Sequence, residues 1–69
     1  MAISARNRLE GAIQSVETDG IVAEVEIETD GGEVVTAVIT KNSVDRLGLT
    51  EGDDVNAVIK ATEVMIEDT

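Results

Sequence analysis

The chain has no Phe, Tyr or Trp among its 69 residues, and this absence limits how it can build a hydrophobic core. Aromatic side chains bury roughly 150–250 Å² each, so the core must come from Val, Ile, Leu and Ala. The chain also lacks Cys, which excludes a disulfide, and a domain of this size buries only roughly 60% of its unfolded surface. Small domains without such supports usually gain stability from oligomerisation. The composition therefore predicts one domain, residues 1–69, in an obligate oligomer.

Alternation of apolar and polar residues predicts strands through most of the chain. In the clearest segment the apolar residues Ile21, Ala23, Val25 and Ile27 face inward and three glutamates face water. The five predicted strands are residues 7–17, 21–28, 33–39, 54–60 and 63–67. The dipeptide Asp19-Gly20 favours a tight hairpin turn. The third strand is β-branched and almost uniformly apolar, so we expect it to be buried on both faces.

The alternation breaks after the third strand, where the sequence predicts one short helix. Thr40 or Asn42 can cap its start, Val44 and Leu47 fall on one side, and Gly48 supplies a left-handed end. Five strands with a helical turn between the third and the fourth match a small all-β, OB-like Greek-key barrel.

The charge balance excludes several classes of function. The chain carries 15 acidic and 5 basic residues, a formal charge of -10, whereas nucleic acids are bound by clustered Lys and Arg. Binding barrels for single strands also need stacking aromatics, which are absent here. Without His, Cys or a paired acid–base site, we expect no enzyme activity. The acidity fits either a well-solvated surface or adaptation to a salty cytoplasm.

Targeting features are also missing from the sequence. No apolar run approaches the ~18 residues of a membrane span. Residues 1–8 contain two Arg but lead into no apolar segment of a signal peptide. We therefore expect a cytoplasmic protein without a membrane partner.

Two of the five cations, Arg6 and Lys60, lie near the two ends of the chain. Ser4 and Arg6 share one face of an extended strand, and Lys60 and Thr62 share a face for the same reason. If the first and last strands meet, in the fold or at a subunit contact, these donors converge on one small anion. The alternative is that Arg6 and Lys60 are ordinary solvated surface charges.

Four segments carry a resemblance that covers nearly the whole chain. They are residues 3–7 (ISARN), 39–44 (ITKNSV), 47–52 (LGLTEG) and 57–66 (AVIKATEVMI). In this order they resemble the molbindins, small molybdate-binding proteins built from a single Mop module.

The resemblance implies an OB-like barrel that assembles into a hexamer by exchanging strands, with molybdate or tungstate at subunit interfaces. It also implies the residues that bind the oxyanion, which are Ser4, Arg6, Thr40, Ser43, Lys60 and, through its backbone, Ala61. The metal would enter only as an oxyanion, without a free cation or a separate cofactor. The expected function is storage or buffering of molybdate or tungstate, and the alternative is an assembly module of the same fold that has lost its ligand.

The residue types fit such a ligand on chemical grounds. Molybdate is a tetrahedral dianion that only accepts hydrogen bonds, so a good site combines cations with hydroxyl and backbone N–H donors. A helix start offers free N–H groups, which Thr40 and Ser43 flank. Helix capping alone also accounts for these two residues. The presence of all the matched donors favours the binding function over the assembly module.

Overall fold

A computed structural model describes residues 6–68 as one curled antiparallel sheet with a short helix. The elements in chain order are β1 (Asn7–Asp19), β2 (Val22–Thr29), β3 (Val34–Thr40), α1 (Lys41–Leu47), β4 (Asp54–Ile59) and a 3₁₀ turn (Ala61–Glu63). The four strands lie in the order β3-β2-β1-β4, and all neighbouring pairs are antiparallel. The all-β class, the single helix and its place between the third and fourth strands are confirmed.

The long strand β1 organises the sheet because it pairs with both β2 and β4. Gly11 lies where these two ladders overlap, opposite Thr29 on one side and Val55 on the other. A Cβ atom at Gly11 would clash with the Glu28 carbonyl oxygen and lie 2.9 Å from the Thr29 Cα. Only glycine therefore allows the strands to approach this closely. Just beyond it, the register shifts between Ile13 and Ser15, an irregularity of the kind that bends a strand.

The core lies on the concave face of the sheet and is small. Its buried residues are Ile13, Ala23, Val25, Ile27, Val44 and Ala57. The three that belong to β2 confirm the inward face predicted for the second strand. An apolar cleft of about 340 Å³ remains beside this core, between residues of β3 and β4 such as Val35 and Val55. The described chain thus leaves part of its apolar interior uncovered.

The ends of α1 follow the sequence prediction. Thr40 is the N-cap, and its side chain accepts a hydrogen bond from the Ser43 amide. Gly48 ends the helix in the left-handed conformation, with φ of 65°. Val44 is buried, whereas Leu47 stays exposed at the edge of the apolar cleft.

The prediction of a fifth strand at residues 63–67 is wrong for the single chain. The 3₁₀ turn Ala61–Glu63 takes its place, and no ladder includes the residues that follow. Val64, Met65 and Ile66 are 52%, 93% and 95% exposed. A strand must hydrogen-bond to a neighbour, and within residues 6–68 this segment has none. The Greek-key path and strand exchange, which depend on a fifth strand, stay predictions.

Two finer predictions about the sheet are also wrong. Ile21 does not face the core, because Gly20 and Ile21 form the two-residue turn between β1 and β2 and Ile21 is 83% exposed. A positive φ at Gly20 alone is the pattern of a type II′ hairpin turn. β3 is not buried on both faces, because it is an edge strand and its outer face, including Val38, is open.

Candidate functional site

The structure brings Arg6 and Lys60 together at the end of the β1–β4 ladder. In this ladder Arg8 is opposite Val58 and Asn7 is opposite Ile59. Arg6 and Lys60 each lie one residue beyond this last pair, so the same register, continued by one step, sets them opposite each other. The Asn7 Nδ2 donates a hydrogen bond to the Ile59 carbonyl oxygen at 3.2 Å, which ties the two backbones together here. We call Arg6 and Lys60 the ladder-end pair.

The electrostatics of the ladder-end pair are unfavourable without a ligand. Like charges directly opposite each other on neighbouring strands repel, and both residues are exposed. Within residues 6–68 the ion pair is Lys41 to Asp45, at 3.9 Å, and no carboxylate of this part of the chain lies that close to Arg6 or Lys60. Two cations without an ion-pair partner in the described part of the chain, in a protein of charge -10, suit an anion supplied from outside.

Lys60 is followed by the 3₁₀ turn, which changes the direction of the chain. The Glu63 amide donates to the Lys60 carbonyl at 2.9 Å, and the Val64 amide donates to the Ala61 carbonyl at 3.4 Å. The first amides of such a turn have no acceptor within it, so the Ala61 N–H is a donor next to Lys60. The turn also breaks the period-two alternation. The expectation that Thr62 shares a strand face with Lys60 is therefore wrong.

The start of α1 presents a second group of donors. The Thr40 Oγ1 accepts from the Ser43 amide at 3.0 Å and donates its own proton to the Ser43 Oγ at 2.8 Å. The Lys41 amide is already bound to the Ile21 carbonyl at 2.9 Å. These contacts commit the Thr40 hydroxyl to capping and leave the Ser43 proton for a ligand. A hydroxyl that accepts one hydrogen bond becomes a better donor of the next, so Thr40 both positions and polarises Ser43.

The ladder-end pair and the Thr40–Ser43 pair belong to different ends of the sheet. Thr40 is opposite Val22, which is opposite Asp19 at the end of β1, whereas Arg6 precedes its start. A shallow cleft beside the helix start is lined by Gly20, Ile21, Thr40, Lys41, Asn42 and Asp45, and includes neither cation of the ladder-end pair. The described chain therefore forms two donor groups rather than one cluster. Ser4 lies outside the described residues.

Two negative findings apply to residues 6–68. No group of three or more acidic side chains in this part of the chain is arranged to hold a metal ion. None of the helices described here is long and apolar enough to span a membrane.

Sequence reasoning did not single out Asn7 as a residue that shapes the site. Its hydrogen bond to Ile59 fixes the end of the ladder, and the ladder in turn places Arg6 beside Lys60. The only signal available was its position next to Arg6 in the ISARN segment. Nothing else about an amide side chain at a strand end indicates a functional role.

Comparison with known proteins identifies the family of this fold. The TOBE domain profile matches residues 3–66. Molybdenum-pterin-binding protein 3 of Clostridium pasteurianum is 47% identical over 66 residues, which covers 96% of this chain and 97% of that protein. The chain belongs to the TOBE domain family, as one of its small Mop-module proteins, the molbindins.

Solved structures agree with this assignment. MopII from Clostridium pasteurianum matches with a TM-score of 0.91 and 42% identity, over 97% of this chain and all of that one (100%). A molybdate-binding protein from Sporomusa ovata matches with a TM-score of 0.93 and 35% identity, over 99% and 100%. The cytoplasmic molybdate-binding protein ModG matches with a TM-score of 0.84 and 43% identity, over 88% of this chain and 43% of that one.

Proposed function

We propose that this protein binds molybdate or tungstate as the free oxyanion. The residues proposed to hold it are Ser4, Arg6, Ser43, Lys60 and the Ala61 amide, and Thr40, whose proton goes to Ser43, is proposed to position that hydroxyl. The observation that carries the proposal is the ladder-end pair, two cations at the end of the β1–β4 ladder that form no ion pair within residues 6–68. A dianion between them replaces a repulsion by two attractions. The names of the Sporomusa ovata protein and of ModG, which specify molybdate, support the same ligand.

The donor set favours a fully ionised oxyanion over its competitors. Every proposed group is a donor: a guanidinium, an ammonium, hydroxyls and an amide. Phosphate carries a proton near neutral pH and needs an acceptor, which this set does not offer. Sulfate is also a dianion but is smaller than molybdate, so it fits the same donors less closely. We therefore expect molybdate and tungstate to bind best, sulfate more weakly and phosphate most weakly.

The word pterin in the name of the Clostridium relative raises a second ligand for comparison. A pterin ring is a flat heteroaromatic system, and aromatic side chains are the groups best suited to stack on such a ring. This chain has no aromatic residue at all. The free oxyanion is accordingly the ligand that we propose.

The simplest arrangement in which both donor groups contact one ion is a binding site between two subunits. We propose that the ladder-end pair of one subunit and the Thr40–Ser43 pair of another bind the same ion. The exposed apolar segment Val64, Met65 and Ile66 and the open apolar cleft support association of subunits. A homo-hexamer with exchanged C-terminal strands is the assembly that we propose, in which a segment from a neighbour supplies the fifth strand of an OB-like Greek-key barrel.

The proposed biological role is storage or buffering of the oxyanion in the cytoplasm. The description of ModG as cytoplasmic supports this location. The alternative role is an assembly module that no longer binds a ligand, and a titration separates the two. Calorimetry in about 0.15 M KCl, compared across molybdate, tungstate, sulfate and phosphate, should rank the ions as stated. Equal heats for all four ions would contradict the discrimination, and no heat with any ion would favour the assembly module.

Mixed oligomers test whether the site spans two subunits. Arg6→Ala and Ser43→Ala each disable a different donor group. If the groups come from different subunits, unfolding and refolding the two variants together restores some complete sites, because each variant supplies the half that the other lacks. If both groups come from one chain, the mixture binds no more than the two separate variants. Wild-type protein taken through the same refolding serves as the control.

A further inference from the structure

Three of the five cations of the chain lie at one end of the β1–β4 ladder, with Arg8 inside the ladder and Arg6 and Lys60 one residue beyond its last pair. Leu9 is opposite the buried Ala57 and shares its face of the sheet, although Leu9 itself is 42% exposed. Arg8 and Val58, one position along, consequently face outward. Arg6 and Lys60 occupy the next outward position in the same register. Arg8 therefore stands two residues from the ladder-end pair on the same surface.

Arg8 differs from the ladder-end pair in what lies opposite it. Its partner across the ladder is the neutral Val58, which is half-exposed, so Arg8 does not share a ligand with a second cation. Two residues along a strand correspond to about 6.6 Å. An anion held between Arg6 and Lys60 is therefore centred about one such step from the backbone of Arg8. It still lies within range of its charge.

The acidic residues of the chain make a cation such as Arg8 important for attracting an anion. The chain carries 15 acidic residues, and Glu10 is the next outward residue of β1 beyond Arg8. At ~0.01 M salt the Debye length is about 30 Å, so charges over the whole chain, whose longest dimension is 34 Å, act on an approaching anion. In that field a dianion is repelled from most of the surface. The outward face of the ladder end offers a local attraction.

We propose that Arg8 attracts the dianion to the ladder-end pair through space and does not touch it. This inference rests on the proposed oxyanion site. It makes Arg8 a positioning residue whose contribution depends on salt, whereas Arg6 and Lys60 contact the ion. One charge acting on a dianion across about 8 Å of water strengthens binding about fourfold at ~0.01 M salt and has almost no effect at ~1 M, where the Debye length is about 3 Å.

The test measures molybdate affinity by equilibrium dialysis with elemental analysis, at about 0.01, 0.15 and 1 M KCl. Arg8→Gln should weaken binding about fourfold at the lowest salt and not measurably at the highest. Arg6→Gln should keep a loss of about tenfold at the highest salt, because it removes a direct hydrogen bond. Arg8→Lys keeps the charge and should restore wild-type affinity at every salt concentration.

Gln14→Glu is the matched control, since it changes the net charge by the same amount as Arg8→Gln. Gln14 is exposed on β1, six residues from Arg8, or about 20 Å along an extended strand. The control should lose less than about twofold at low salt. Each variant is compared with wild type at the same salt, which removes any effect of salt on assembly.

Three results would overturn the inference. A loss in Arg8→Gln that persists at high salt would make Arg8 a direct ligand. If Arg8→Gln loses no molybdate affinity at low salt, Arg8 has no role in binding. If Gln14→Glu loses as much affinity as Arg8→Gln, the anion responds only to the net charge of the protein. Absence of binding by wild type at every salt concentration is a separate outcome, because it would contradict the proposed function itself.

Discussion

Removing one cation of the ladder-end pair should weaken anion binding without destabilising the fold. In Arg6→Ala, a dianion loses one contact at about 4 Å, worth about 2 kcal/mol in a water-like dielectric. That value falls within the range of about 1.5–3 kcal/mol for a charge-assisted hydrogen bond. The Kd for molybdate should therefore rise about 10- to 100-fold. Lys60→Ala should behave in the same way, because the register places it directly opposite.

The stability of the anion-free protein should respond differently. Arg6 and Lys60 repel each other across the ladder, and both are exposed, so the repulsion costs at most about 1 kcal/mol. Removing either one relieves this cost. The midpoint of thermal unfolding, measured by circular dichroism without anion, should therefore stay the same or rise slightly. Excess molybdate should raise the midpoint of wild type much more than that of either variant.

Calorimetry at about 0.15 M KCl gives the affinities, with Gln14→Glu as the control for net charge. A Kd that changes equally in Arg6→Ala and Gln14→Glu would refute the reasoning, because the anion would then respond only to overall charge. A lower unfolding midpoint in anion-free Arg6→Ala would also refute it, since Arg6 would then hold the fold together.

Three further predictions concern the fold and the assembly. Gly11→Ala should lower the free energy of unfolding by about 1–3 kcal/mol in a denaturant titration, because the new methyl group meets the β2 backbone at Glu28 and Thr29; an unchanged midpoint would contradict this. Thr40→Ala should cost about 1 kcal/mol of stability through the lost cap and also weaken anion binding, whereas Thr40→Ser should recover both; a Ser variant as weak as the Ala variant would exclude the hydroxyl as the cause. Sedimentation should show a hexamer at about 0.5 M salt that loosens at ~0.01 M, because subunits of charge -10 repel each other over long distances at low salt. A folded monomer at every salt concentration would contradict the interpretation that the core of one chain is incomplete.

The sequence determined local structure well where a single residue type sets the backbone. Thr40 and Gly48 fixed the two ends of α1, because a hydroxyl N-cap and a left-handed glycine act on their nearest neighbours. The alternation from Ala23 to Ile27 fixed the inward face of β2, since the side-chain period of a strand is two. The same rule failed at Ile21, because Gly20 and Ile21 form the turn and the strand begins only at Val22.

Only the tertiary structure decided which residues distant in the sequence lie next to each other. The pairing of Arg6 with Lys60 depends on β1 meeting β4, a contact between residues more than fifty positions apart that no local pattern encodes. The apolar alternation of residues 63–67 predicted a strand, but a strand exists only where a neighbour offers hydrogen bonds, and within residues 6–68 there is none for this segment. The sequence thus determined which residues can donate to an anion, because donor chemistry belongs to each side chain. The register of the sheet decided which of them stand together, because charges converge only where backbone pairing brings distant segments side by side.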